Sequence, residues 1–121
     1  MIKVKSVYDK VTDDDGKRIL VDLFWPEGLK TLEAKVDDWI VELGPSYDLQ
    51  RFQFDVENWE NYASLFAEEI LKNKDKKNKL QSLSQKAQNE TITLVYGNKD
   101  GSHNHAKVLK ELIDGFDSEN A

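Results

Sequence analysis

The sequence predicts an α/β domain: a small, mostly parallel sheet of three or four strands packed by about four helices. Three observations carry this. Two strand-like runs open the chain, a third and more β-branched run stands near residue 93, and stretches of helical apolar spacing lie between and after them. Strands that alternate with helices build layered α/β structures rather than sandwiches or bundles. At 121 residues with 39% apolar side chains, the chain is sized for one core without covalent staples, so residues 1–121 are read as one domain.

The first element, IKVKSVY, sets Ile2, Val4 and Ser6 against Lys3, Lys5 and Val7 in the period of a strand. TDDDGKR then reads as a polar turn, with Gly16 available for positive φ. Three adjacent carboxylates at such a turn do not converge on a cation without other ligands. ILVDLFW follows as a nearly continuous apolar run, the pattern of a strand covered on both faces, and Pro26 and Gly28 close it. Asp22 interrupts the run, so it must reach the wet end of the strand or a specific hydrogen-bond partner. The link between these two strands is too short for a helical crossover and leaves a hairpin or a loop crossover.

From Thr31 the period becomes helical, with Val36, Trp39, Ile40 and Leu43 on one face until Gly44 and Pro45 stop it. Asp55 is placed to cap a long helix bearing Val56, Trp59, Ala63, Phe66 and Ile70, a stripe whose spacing is that of core. A second helix carries Leu80, Leu83 and Ala87. TITLVYG is the most β-like stretch and is expected at the centre of the sheet because a helix follows it directly. That last helix carries Val108, Leu109, Leu112, Ile113 and Phe116, and residues 117–121 read as a frayed tail.

Composition excludes several functions. The chain has no cysteine, so it has no thiolate nucleophile, disulfide or Cys-type metal site. A net charge of −6 repels nucleic acid. The lysine run KNKDKKNK lacks the interleaved aromatics that stack bases, and reads as a solvated helix end. No run is long enough to span a membrane and no leader pattern opens the chain, which gives a cytoplasmic expectation. No P-loop, dinucleotide fingerprint or nucleophile elbow occurs, and no cofactor is expected.

The place for a site is the crevice beyond the carboxyl ends of the strands, where loops enter helices. Two loops reach it, DLFWPEGLKT and YGNKDGSHNHA, and are expected to bring Asp22, Trp25, Glu27, Lys99, Asp100, His103 and His105 near one rim. Three readings of SHNHA compete. A metal would need Asp100 to join two histidines whose i, i+2 spacing diverges on a helix. An anion corner would use the helix N-terminus with Lys99 and an imidazole. A structural corner would have Ser102 or Asn104 cap the helix, with a neutral His105 on its apolar face.

In combination, VKSVYD, DDGKRILVDLFWPEGL, DDWIVELGPS and ITLVYGNKDGSHNHAKVL resemble the YeaO-like family, small bacterial proteins grouped as a domain of unknown function. The resemblance runs nearly the whole chain and implies a compact α/β domain with no established activity. It also exposes departures. Leu23, Glu27 and Gln50 stand where the family pattern has arginines, and neither leucine nor glutamate can make a bidentate bond to an anion. Asn104 and His105 match the pattern, whereas the position of His103 need not be histidine.

The expectation is a noncatalytic interaction or regulatory protein with a degenerate pocket at Asp22, Trp25, Glu27, Asp100, Asn104 and His105, and with no metal. An enzyme or a domain binding a small anionic ligand at that corner is the alternative. Its expected partners are such a ligand or another protein.

Overall fold

The computed structural model describes residues 1–51, 56–97 and 103–119. Strands β1 (Ile2–Ser6), β2 (Lys17–Leu20), β3 (Asp38–Trp39) and β4 (Ile92–Tyr96) form one sheet in the order β1-β4-β2-β3, and every pairing in it is parallel. β4 is interior to the sheet, as expected of a strand that a helix follows directly. Because β4 lies between β1 and β2, the short link joining those two strands is a loop crossover and not a hairpin. It contains a 3-10 turn at Asp13–Asp15. Gly16, at φ 62°, makes the return: a Cβ there would lie 2.2 Å from the Thr91 carbonyl oxygen, so only glycine fits.

Among the described residues there are five α-helices: α1 (Thr31–Ala34), α2 (Tyr47–Arg51), α3 (Trp59–Lys72), α4 (Lys74–Lys86) and α5 (His105–Glu119). The last three bury their apolar stripes against one face of the sheet. Phe66 and Ile70 of α3, Leu80 and Leu83 of α4, and Leu109 and Ile113 of α5 meet Ile19, Val21, Ile92 and Leu94 there. The opposite face has a smaller apolar cluster of Val7, Leu20, Ala34 and Val95, with Trp25, Leu29 and Val36 packed against it. The sheet is covered on both faces, as the apolar run at β2 requires, but long helices cover only one of them.

The helix expected from Thr31 to Leu43 forms only over its first four residues. α1 ends after Ala34, where Lys35 turns left-handed at φ 46°, and the chain then lays β3 along β2. The edge of β2 decides this. Asp37 donates its amide to the Arg18 carbonyl at 2.8 Å, Ile40 donates to the Leu20 carbonyl at 3.0 Å, and the Asp37 carboxylate accepts the Arg18 amide at 2.8 Å. A continued helix would leave those strand groups unpaired, so tertiary pairing overrides the local period. β2 is also shorter than its apolar run, since regular pairing stops at Leu20. The amide of Val21 still reaches the Val95 carbonyl at 3.1 Å.

α3 begins at Trp59 after a 3-10 turn at Val56–Asn58, and the expected cap, Asp55, lies outside the described residues. Lys72 ends α3 and Asn73 alone separates it from α4, whose Lys76 amide it caps at 3.1 Å. The lysine run is thus a helix end and turn, largely in solvent. α5 runs to Glu119, and the remaining two residues of the expected tail lie outside the description.

Candidate functional site

Three of the expected residues, Asp22, Asn104 and His105, do meet at the carboxyl end of the sheet. β2 delivers Asp22, β4 ends at Gly97, and α5 starts at His105. Asn104 is the cap: its side-chain oxygen accepts the Lys107 amide at 3.1 Å, and it is buried. That fixes the first turn of α5 and turns His105 inward, where its ring meets Phe66 edge to face at 5.6 Å between centroids.

The imidazole Nε2 of His105 lies 2.8 Å from the Val21 carbonyl oxygen and 3.0 Å from Asp22 Oδ1. Two acceptors at this distance mean that Nε2 carries a hydrogen. The directed bond goes to Val21. Asp22 Oδ1 is buried and, among the described residues, receives no directed hydrogen bond, although the imidazole is its neighbour. The other oxygen, Oδ2, accepts the Gly97 amide at 2.8 Å. A Cβ at position 97 would stand 2.9 Å from Oδ2 and 3.0 Å from Pro26, so this close approach requires glycine. His105 and Asp22 together therefore stitch the ends of β2, β4 and α5.

Asp22 is also held through its backbone, whose carbonyl accepts the Trp39 indole N–H at 2.7 Å. Trp39 meets Trp25 edge to face at 5.6 Å. Trp25 itself faces the second apolar cluster and donates its indole N–H to the Leu29 carbonyl at 2.9 Å. Glu27 is exposed; its carbonyl accepts the Tyr8 hydroxyl at 2.7 Å. His103 sits edge to face on Trp59 at 5.5 Å, apart in role from His105. Lys99, Asp100 and Ser102 lie outside the described residues. Among the described residues no group of three His, Asp or Glu side chains is placed to hold a metal.

Sequence reasoning missed the parts that Trp39, Gly97 and Tyr62 play here. Burial pushes the Tyr62 hydroxyl up to about 12, with Glu69 and Asp22 adding negative charge nearby. The glycine ending β4 was the available signal for Gly97. Trp39 could not be placed while residues 31–43 read as helix.

A second polar cluster on the loop-covered face was also missed. Arg18 and Asp15 are both buried and paired at 2.8 Å, with Lys5 3.0 Å from the same carboxylate. Burial alone would raise the Asp15 carboxyl, but bonds from Lys5, the Thr12 amide and hydroxyl, and Arg18 hold it far below the usual range.

A family model described as the inactive DUF488-N3 subclade matches residues 1–120. The uncharacterized protein YeaO of Escherichia coli is 32% identical over 113 residues, covering 93% of this chain and 96% of the relative. The uncharacterized proteins Mb3100c of Mycobacterium bovis and Rv3073c of Mycobacterium tuberculosis are each 29% identical over 115 residues, covering 94% of both chains. No solved structure matches. No described helix is long and apolar enough to cross a membrane. With a model matched from end to end and relatives aligned along nearly their whole length, the chain belongs to the YeaO-like family, in the inactive DUF488-N3 subclade.

Proposed function

We propose that this chain is a noncatalytic interaction protein whose corner at Asp22 and His105 has become part of the fold. One observation carries the reading: the residues best suited to acid-base chemistry are occupied internally. The His105 N–H is given to the Val21 carbonyl, and Asp22 Oδ2 takes the Gly97 amide. The replacement of family arginines by Leu23, Glu27 and Gln50 supports it, because that removes the donors an anionic substrate would need. So does the word inactive in the subclade's description. The charge of −6 favours a basic protein partner over nucleic acid.

A second reading rests on Asp22 Oδ1, buried without a directed hydrogen bond among the described residues. Such an oxygen is costly unless something donates to it. A small ligand reaching the corner would therefore have to offer a hydroxyl, amide or ammonium toward Asp22. An anionic ligand would need that donor as well as its charge, with Lys99 as the cation the sequence places nearest.

Thermal-shift measurements with phosphate, sulfate, nucleotides, amines and divalent metals separate the readings. The interaction reading expects no shift from any of them and a lower melting temperature for Asp22→Asn and His105→Gln. A saturable shift that Asp22→Asn removes, in a variant that still folds, would establish the ligand reading instead.

A further inference from the structure

A groove of about 580 Å3 runs between α2 and the flank of α3, lined by Asp48, Leu49, Leu65, Glu68, Glu69 and Lys72 among others. On α3 the core stripe passes through Tyr62, Phe66 and Ile70. Leu65, Glu68, Glu69 and Lys72 follow one another at helical spacing along the neighbouring flank. Leu65 is left 39% exposed there, while Leu49 forms the buried floor.

The walls are fixed in place. Glu69 Oε1 accepts the Ser46 amide at 3.0 Å and Oε2 accepts the Ser46 hydroxyl, which pins the start of α2 to α3. Among the described residues, the remaining acids are held only loosely or not at all. Asp48 is exposed, and Glu68 meets Lys72 only at 3.7 Å with both side chains more than half in solvent, a pairing too weak to hold it. Three carboxylates thus surround an apolar floor against one ammonium group.

We propose that this groove docks a segment of a partner protein carrying an apolar side chain beside lysine or arginine. The apolar residue covers Leu65 and Leu49, and the cation lies between Asp48 and Glu68. A depression this open to solvent suits a chain segment better than an enclosed small molecule. A second copy fits less well, because it brings the same net charge of −6 to an acidic groove, although its Leu71 is 39% exposed beside Lys72. The proposal rests on the reading of the chain as an interaction protein and names the surface and the partner chemistry.

The test uses the whole chain, isotope-labelled for NMR, with two synthetic peptides: leucines spaced among lysines, and the same leucines among glutamates. The lysine peptide should shift the Leu49 and Leu65 methyls and the Glu68 amide, and the glutamate peptide should not. Asp48→Lys with Glu68→Lys should weaken lysine-peptide binding about tenfold or more, since like charge now opposes it. Asp48→Asn with Glu68→Gln should give a smaller loss and serves if the reversal unfolds. Equal binding of both peptides, unchanged binding to the substituted chains, or shifts centred elsewhere would overturn the proposal. So would self-association mapped to Leu65, which would give the groove to a second copy. A silent groove leaves the structural role of Asp22 and His105 standing, whereas a ligand at that corner would remove the broader reading and leave the peptide result intact.

Discussion

Asp15 and Asp22 are both carboxylates drawn inward beside a basic side chain, yet their surroundings are completed differently. Around Asp15, Oδ1 receives Lys5 at 3.0 Å and the Thr12 hydroxyl at 2.9 Å, and Oδ2 receives Arg18 at 2.8 Å and the Thr12 amide at 3.2 Å. Arg18 spends Nε and Nη2 on the Ala34 carbonyl, at 3.2 and 3.1 Å. The Thr93 hydroxyl closes the network on the Asp15 carbonyl at 2.6 Å. Around Asp22, among the described residues, one oxygen has a backbone amide and the other has only a nearby imidazole whose hydrogen points elsewhere. A saturated buried network specifies a structure. One with a spare acceptor can lose a partner at lower cost, or gain one.

The difference can be broken first at Asp15. Asp15→Ala leaves the Arg18 guanidinium buried without its carboxylate, and chemical denaturation should show a loss of about 3–5 kcal/mol, the largest effect expected of any single change here. The same network sets an acid limit. Because the Asp15 carboxyl is held below its ordinary value in the folded chain, its stabilisation is complete above the unfolded value near 3.8 and is lost as pH falls through the folded one. Between pH 5 and 3, therefore, the native chain should lose stability with Asp15 still ionised in the fold. Asp15→Asn should flatten that part of the profile while being less stable at pH 7.

At the other corner the expected losses are smaller. His105→Ala removes the bond to Val21 and the contact with Phe66, and should cost about 2–4 kcal/mol in urea unfolding. Gly97→Ala forces a Cβ against Asp22 and Pro26, and should cost about 1–3 kcal/mol. Asp22→Asn should cost less than Asp15→Ala, since among the described residues its second oxygen has no directed donor to lose. If Asp22→Asn proved as damaging as Asp15→Ala, the contrast between the two clusters would collapse.

The two clusters were not equally legible. Asp22 announced itself, because a single charge inside an apolar strand demands either water or a partner, and its helix-start neighbours Asn104 and His105 stood out in the loop before α5. Arg18 follows the same rule, but it sits beside Lys17 at the edge of a turn, where charge looks ordinary. Asp15 is likewise the last of three aspartates, and nothing local distinguishes the one that the Gly16 turn folds inward. The β-branched composition of β4 marked it as a strand, and its central place followed from the helix directly after it. β3 did not, since Val36, Trp39, Ile40 and Leu43 have helical spacing and only the unpaired edge of β2, distant in sequence, draws Asp38 and Trp39 into a strand. What escaped the sequence was what depends on partners far along the chain.

The smallest expected effect sharpens the comparison at its geometric root. Lys35 is exposed and left-handed at φ 46°, a conformation that costs a residue with a Cβ about 1 kcal/mol or more. It pays that cost immediately after Ala34, whose carbonyl takes two bonds from Arg18. The strain thus aims an acceptor at the buried guanidinium. Lys35→Gly removes the strain and gives back part of the gain as backbone entropy, so the net stabilisation should be about 0.5 kcal/mol in denaturant titration. The Gly97 amide resonance, which reports on the Asp22 corner, should not move. A shift there would mean that the two clusters communicate through β2 and that their different completeness belongs to one network.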